Sequence, residues 1–196
     1  MFSKLFRVLL LLPVTYWIYL IFWGDLGADP AKNLNHLTGP MALYYIILNL
    51  AIGILISFSF KFPKFLRFLL TNRRFLGVLS FIFLIFHVTL YFLMEGFEKI
   101  AFVQLVTKTY LILGLLAWLI LLVLAVTSND YSVRKLGGKR WKLLHRSVYL
   151  ASAFLTVHIL LIEKADLLKY GIILSSLWVL QFFRVIRNRK NIKVGL

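Results

Sequence analysis

Apolar residues dominate this chain in six long runs that are separated by short polar segments. The runs cover residues 5–23, 41–60, 74–94, 109–128, 144–162 and 168–186. A helix needs about 20 predominantly apolar residues to cross the hydrocarbon core of a bilayer. The pattern therefore predicts an all-α integral membrane protein, a bundle of six transmembrane helices that forms a single domain over residues 1–196.

The charged residues sort to opposite ends of the predicted spans. Threading the chain back and forth through a membrane puts 18 of the 23 basic residues on one side and six of the seven acidic residues on the other. The basic set is Lys4, Arg7, Lys61, Lys64, Arg67, Arg73, Arg74, Arg134, Lys135, Lys139, Arg140, Lys142, Arg146, Arg184, Arg187, Arg189, Lys190 and Lys193. The acidic set is Asp25, Asp29, Glu95, Glu98, Glu163 and Asp166. Cytoplasmic loops carry an excess of lysine and arginine, so both termini are predicted to lie inside.

Composition narrows the classes of function. The chain is 61% hydrophobic with a mean hydropathy of +0.88, whereas an ordinary soluble domain is roughly 45–50% apolar. The basic residues that give the chain its net charge of +16 lie mostly on the predicted cytoplasmic side, so the positive-inside rule explains them and nucleic acid is not expected as a partner. The absence of cysteine excludes disulfides, thiolate metal sites and iron–sulfur clusters. No dinucleotide-binding or P-loop motif occurs.

Two histidines lie deep within the predicted spans. His87 is about 13 residues into the third span, and His158 is 13 residues after His145, which opens the fifth. Both spans run outward, so at 1.5 Å per residue the two histidines lie roughly 20 Å from the inner ends. Two facing imidazoles at one level are the ligands of a bis-histidine haem. His145 and Arg73, which precedes His87 by 14 residues, lie at a lower level near the cytoplasm.

Each of these residues also has a plainer interpretation. A histidine inside a span is often only a hydrogen-bonded core residue. Thirteen residues turn a helix by roughly 220° beyond whole turns, so His145 and His158 share a face only with a kink, an offset haem or another inner ligand. Arg73 is either a snorkelling anchor or a contact of a haem propionate. His36 lies in a predicted outer loop, residues 24–40, as a surface or capping residue or as a contact of a partner protein.

Several motifs follow, in order, the pattern of one known family. They are Leu26-Gly27-Ala28-Asp29-Pro30; His36-x-Thr38-Gly39; Arg73-Arg74-x-Leu76-Gly77 followed by His87; Leu124-Ala125-x-Thr127-Ser128; and Leu136-Gly137-x-x-x-Trp141-x-x-Leu144-His145-Arg146-x-Val148-Tyr149-Leu150 through His158. Over nearly its whole length the chain resembles the MsrQ family, the haem-binding membrane subunits of the bacterial periplasmic methionine-sulfoxide reductase system. That family lies within the ferric-reductase-like transmembrane superfamily.

The resemblance implies a multi-pass protein of the bacterial inner membrane that carries one or two b-type haems. Such a subunit transfers electrons and is not itself the sulfoxide-reducing catalytic subunit. Its electrons come from the quinone pool, directly or through a bound flavin (FMN), and pass to a periplasmic molybdopterin-containing methionine-sulfoxide reductase (MsrP). By the same resemblance, His87 and His158 ligate one haem iron, and His145 belongs to a second or alternative inner haem site. Related oxidases carry a second histidine where this chain has Arg73, which leaves the number of haems open.

Two other functions remain compatible with the sequence. A stand-alone transmembrane ferric reductase or oxidase, fed by a cytosolic flavin reductase, would use the same histidines and would reduce iron(III) or oxygen itself. A cofactor-free transporter or scaffold would use the histidines to relay protons or to pack, and it would be colourless. An absorption spectrum separates the last class from the first two.

Overall fold

The computed structural model describes the backbone of residues 2–58, 64–162 and 166–194, and the side chains of residues 3–58, 64–162 and 166–187. Five of the charges used to predict the topology have side chains outside these ranges: Lys61, Glu163, Arg189, Lys190 and Lys193. The last two residues of the predicted second span, 59 and 60, also lie outside the described residues.

All regular structure in the described residues is helical. The helices are α1 (Phe2–Leu9), α2 (Leu12–Trp23), α3 (Pro30–Phe58), α4 (Lys64–Met94), α5 (Lys99–Thr107), α6 (Thr109–Val126), α7 (Asp130–Leu136), α8 (Gly138–His145), α9 (Val148–Leu160) and α10 (Leu167–Val194). Six segments are long and apolar enough to cross a membrane: Ser3–Trp23, Pro30–Phe58, Lys64–Met94, Thr109–Val126, Gly138–Leu160 and Leu167–Arg187. The predicted six-span architecture is confirmed, and the chain is a multi-pass membrane protein.

The predicted outer loop over residues 24–40 is wrong in its second half, because α3 already begins at Pro30. Proline suits the first position of a helix, where its missing N–H has no intrahelical partner to lose. The preceding Asp29 caps the helix, since its carboxylate accepts a hydrogen bond of 3.0 Å from the backbone N–H of Lys32. His36 is therefore an exposed helical residue and not a loop residue.

The helix that contains the predicted third span, residues 74–94, begins earlier, because α4 starts at Lys64. The 31 residues of α4 span about 46 Å at 1.5 Å per residue, which exceeds the roughly 30 Å of a bilayer core. Arg73 consequently lies within the helix and not at its end.

Two predicted spans contain a break. Between α1 and α2 the helix is interrupted before Pro13, which lies in the first turn of α2, where a missing N–H is tolerated. Between α8 and α9 the chain turns at Arg146 and Ser147. Both residues keep right-handed helical dihedrals, and His145 ends α8 while His158 lies in α9, so the two histidines belong to different helices of one span.

Five spans pack in a closed ring in the order α3, α4, α6, α9 and α10. Leu76 and Phe83 of α4 and Ile52 of α3 are fully buried at their contact. The first span lies outside the ring, where Trp17 packs on Phe83 with ring centroids 5.0 Å apart. Because lipid tails are as apolar as these side chains, close packing contributes more to helix association than hydrophobic transfer does.

The ring has two chemically different ends. We call the acidic end the one where α3 and α10 begin and α4 ends, beside Asp25, Asp29, Glu95, Glu98 and Asp166. The basic end is the opposite one, where α3 ends, α4 begins and the short helices α7 and α8 lie. The positive-inside rule predicts that the basic end is cytoplasmic, and that orientation stays a prediction.

Candidate haem site

His87 is held on α4 by two hydrogen bonds to α3. Its Nδ1 lies 3.2 Å from the backbone carbonyl oxygen of Asn35, and the side-chain amide of Asn35 donates to the backbone carbonyl of His87 at 2.8 Å. A carbonyl oxygen only accepts, so Nδ1 carries the proton and donates. The neutral ring then presents the lone pair of Nε2, to which nothing in the described part of the chain donates.

Gly39 makes this approach to α3 sterically feasible. A Cβ placed on Gly39 would lie only 2.9 Å from Cε1 of His87 and 3.0 Å from its Nδ1. In a helix, the residue at i+4 lies directly over the carbonyl of residue i, and Gly39 is four residues after Asn35. The missing Cβ therefore leaves the carbonyl of Asn35 accessible to the imidazole.

His158 repeats the same arrangement on the other side of α6. Its Nδ1 lies 2.6 Å from the backbone carbonyl oxygen of Tyr110, so Nδ1 donates and Nε2 again bears the lone pair. A Cβ on Gly114 would lie 3.0 Å from that Nδ1. Gly114 is four residues after Tyr110, as Gly39 is four after Asn35.

The two histidines lie towards the same end of the ring. Tyr110 is the second residue of α6 and Asn35 lies in the second turn of α3, and both helices begin at the acidic end. His87 and His158 belong to α4 and α9, which flank α6 in the ring. Two neutral imidazoles with Nδ1 fixed by a carbonyl and Nε2 open are the ligand state that haem iron requires. The residues present therefore fit a haem.

His145 has a different environment at the basic end. Its ring stacks on Trp141 with centroids 3.9 Å apart, and its Nε2 lies 3.2 Å from Oγ1 of Thr127. The Thr127 hydroxyl donates its proton to the carbonyl of Val123 at 2.7 Å, so Oγ1 accepts from Nε2. The nitrogen that is open at His87 and His158 is thus engaged at His145.

Arg73 is fixed against α3. Its Nε donates to Oδ1 of Asn49 at 3.0 Å, and the amide of Asn49 donates back to the backbone carbonyl of Arg73 at 2.9 Å. Its terminal nitrogens face Gly53, beside those of Arg184 from α10. Asn49 and Arg184 were not singled out from the sequence, although Arg184 is a charged residue inside the sixth predicted span, which is itself a signal of function.

The structure thus separates the five predicted site residues into two groups. His87, His158 and the exposed His36 lie towards the acidic end, and His145 and Arg73 lie towards the basic end. The backbone acceptors of the two deep histidines were missed by sequence reasoning. The signal for them is a glycine four residues further along the facing helix.

Comparison with known proteins identifies the family of this fold and site. Residues 38–157 match the family described as the ferric reductase like transmembrane component. Proteins named protein-methionine-sulfoxide reductase heme-binding subunit MsrQ, from Salmonella paratyphi B, Salmonella newport and Salmonella heidelberg, are each 38% identical over 152 residues. The aligned region covers 76% of this chain and 73% of each relative. The chain belongs to the MsrQ family.

The family match extends over most of the site described above. The ferric-reductase-like region contains Gly39, His87, Gly114 and His145, and it ends one residue before His158. The expected membership of the MsrQ family is confirmed by these comparisons.

Proposed function

We propose that this chain binds b-type haem through His87 and His158 and carries electrons across the bacterial inner membrane. The observation that supports this most strongly is the matched presentation of the two imidazoles, each with Nδ1 on a backbone carbonyl, 3.2 Å at Asn35 and 2.6 Å at Tyr110. Two such imidazoles pack beside glycines that leave no Cβ against their rings. The Salmonella relatives are named as heme-binding subunits, which supports haem as the ligand.

The protein's own residues set the properties of this site. A haem bound there supplies one-electron transfer between ferric and ferrous iron. The carbonyls of Asn35 and Tyr110 fix the tautomer and the orientation of each ring and raise the basicity of Nε2. The surrounding apolar helices keep water from the imidazoles, and such burial together with ligand basicity determines a haem potential.

A second haem at the basic end would use His145. Its Nε2 would first have to release the Thr127 hydroxyl, 3.2 Å away, or the ring would have to bind through Nδ1. We therefore propose one haem between His87 and His158 and treat His145 as the ligand of a second, inner haem only if two haems are found per chain.

We further propose that electrons enter from quinol, directly or through bound FMN, and leave to a periplasmic molybdopterin-containing methionine-sulfoxide reductase. The sequence contains no dinucleotide-binding motif with which to take hydride from a nicotinamide. The relatives are named as subunits of a methionine-sulfoxide reductase, which supports a separate reductase as the acceptor. The exposed His36, at the acidic end, lies where that partner would dock.

The test is stopped-flow reduction of the purified chain in nanodiscs, followed at the haem Soret band. Reduction by duroquinol, and reoxidation by the molybdopterin reductase only when methionine sulfoxide is present, are the expected results. Reduction by NADH with a soluble flavin reductase but not by quinol, together with turnover of ferric citrate or oxygen, would instead establish the stand-alone reductase or oxidase. His87→Ala is the control for electron transfer through this site.

A further inference from the structure

Two arginines from different helices face each other at the basic end. A Cβ placed on Gly53 of α3 would lie 3.3 Å from Nη2 of Arg73 and 3.3 Å from Nη1 of Arg184. Nη2 of Arg73 and Nη1 of Arg184 therefore lie no farther apart than twice 3.3 Å. Among the described residues there is one ion pair, between Arg74 and Asp130. Neither Arg73 nor Arg184 therefore has a carboxylate partner within the described ranges.

This pairing of like charges is unfavourable unless an anion is present. Gly53 is buried, and both arginines are half-buried among α3, α4 and α10. α3 ends at Phe58, five residues beyond Gly53, which is about 8 Å along the helix. The pair therefore lies near the boundary of the hydrocarbon core, where two uncompensated charges repel and lose hydration.

Several hydrogen-bond donors around the pair have no acceptor among the described residues. Arg73 uses Nε on Asn49 at 3.0 Å, and no acceptor among the described residues binds its terminal nitrogens. Arg184 donates through Nη1 to the Tyr149 hydroxyl at 2.7 Å and to Oε1 of Gln181 at 3.4 Å, which leaves the tyrosine proton available. Gln181 is 6% exposed, and its amide nitrogen is buried without a partner in the described part of the chain.

We propose that Arg73 and Arg184, with Tyr149 and Gln181, bind the phosphate group of a ligand. Planar guanidinium groups pair with oxyanions through two parallel hydrogen bonds. Two such forks with a hydroxyl and an amide offer more donors than the two oxygens of a carboxylate accept in one place, and a phosphate presents three acceptor oxygens. The phosphate belongs either to a phospholipid headgroup of the adjacent leaflet or to a soluble phosphate monoester. This proposed phosphate site does not rest on the proposed haem binding.

Binding to delipidated protein in detergent, measured by native mass spectrometry and by thermal shift, tests the proposal with two matched pairs of probes. Dioleoylphosphatidate against dioleoylglycerol tests the lipid source, and glycerol 3-phosphate against glycerol tests the soluble source. We expect wild-type protein to prefer the phosphate-bearing member of at least one pair by about tenfold or more. Preference in the first pair alone identifies a lipid, and preference in the second identifies a soluble monoester.

Variants test whether these residues cause the preference for the phosphate-bearing probe. Arg73→Gln and Arg184→Gln are expected to abolish it, Arg184→Lys to keep part of it, and Arg67→Gln to keep all of it. Arg67 is an exposed arginine on the same helix, so its loss controls for charge. Equal binding of both members of each pair by wild-type protein would overturn the proposal, whether or not the variants fold. Unchanged phosphate binding with a loss of haem in Arg73→Gln would also overturn it and would indicate a propionate contact.

Discussion

At the acidic end His87 and His158 engage backbone carbonyls through Nδ1 and leave Nε2 open, whereas at the basic end His145 engages the Thr127 hydroxyl through Nε2. The first two rings rest beside glycines, but the third stacks on Trp141. His145 also lies at another level of the bundle than the other two rings. The difference teaches that the partner of one ring nitrogen decides which nitrogen stays open for a metal, and depth along a span does not show that partner.

The largest effect is expected from removing either prepared ligand. His87→Ala and His158→Ala each remove one of the two imidazoles that would hold the haem, so we expect loss of the low-spin bands and a fall in haem affinity of more than about 100-fold. Haem per chain after purification, together with the reduced-minus-oxidised spectrum, measures both. Full haem content and normal quinol-driven reduction in both variants would refute the ligand assignment.

A smaller but substantial effect is expected from filling the glycine gaps. Gly39→Ala and Gly114→Ala place a methyl group 2.9 Å and 3.0 Å from the nearest atoms of the two histidine rings. The His87 ring must then shift, and the His158 ring must give by a few tenths of an ångström. We expect the disturbed hydrogen bonds to the carbonyls to weaken haem binding by roughly 10–100-fold, as for other partners that orient a ligand. A haem titration of the apoprotein measures this change.

Gly171→Ala is the matched control for the two glycine variants, because a Cβ on Gly171 of α10 meets nothing within 4 Å. We expect it to bind haem as the wild type does. If Gly171→Ala weakened haem binding as much as Gly114→Ala, a general effect of adding a methyl group to a membrane helix, and not the histidine contact, would explain the loss.

Replacing the third histidine sharpens the comparison between the two ends. His145→Ala is expected to leave the low-spin signal of the His87–His158 haem intact, because His145 lies at the opposite end of the bundle. If two haems are present, it removes at most one equivalent per chain, as read from a pyridine haemochrome assay. Loss of all haem in the single variant His145→Ala would show that haem binding at the acidic end depends on the basic end.

A variant at His36 should separate haem binding from partner docking. His36 is exposed on α3, so His36→Ala is expected to keep the haem spectrum and the rate of reduction by quinol. We expect a few-fold slower reoxidation by the molybdopterin reductase. An altered spectrum would place His36 at the haem site and would contradict its exposed position.

The smallest effect concerns the ion pair of the basic end. The hydrogen bond from Arg74 lowers the pKa of Asp130 from its usual value of 3.8. A carboxyl group whose folded pKa is depressed stabilises the fold above its unfolded pKa, and this contribution is lost as the pH falls through the folded value. Asp130→Asn should therefore lower Tm slightly at pH 7, and the difference from wild type should shrink below pH 3.8. A difference that persists in acid would show that the ion pair is not its origin.

The sequence predicted the spans well because twenty-residue apolar runs are a strong signal, and it predicted their ends poorly. The start of α3 lies inside the predicted outer loop, residues 24–40, because glycine and proline favour loops, although Asp29-Pro30 also caps and opens a helix. The start of α4 at Lys64 precedes the predicted third span, because an apolar run marks the part of a helix that crosses the membrane and not its extension beyond it. A helix that continues beyond the bilayer carries charges within it.

The candidate site could be predicted only in part. His87, His158 and His145 stand out because ionisable residues are rare at membrane depth. Their acceptors could not be foreseen, since Asn35 and Tyr110 contribute backbone carbonyls and any residue has one. The role of Arg184 beside Arg73 depends on the closure of the ring between α10 and α3, which no pattern along the chain shows.

We propose above that His87 and His158 hold one haem in a membrane-spanning electron path. The most direct test is a reduced-minus-oxidised spectrum of the purified protein, with extractable haem and flavin counted per chain, in wild type and in His87→Ala. We predict low-spin b-type bands with at least one haem per chain in the wild type, and their loss in the variant. A folded but colourless wild-type protein after haem-supplemented expression would contradict the account and favour a cofactor-free transporter or scaffold.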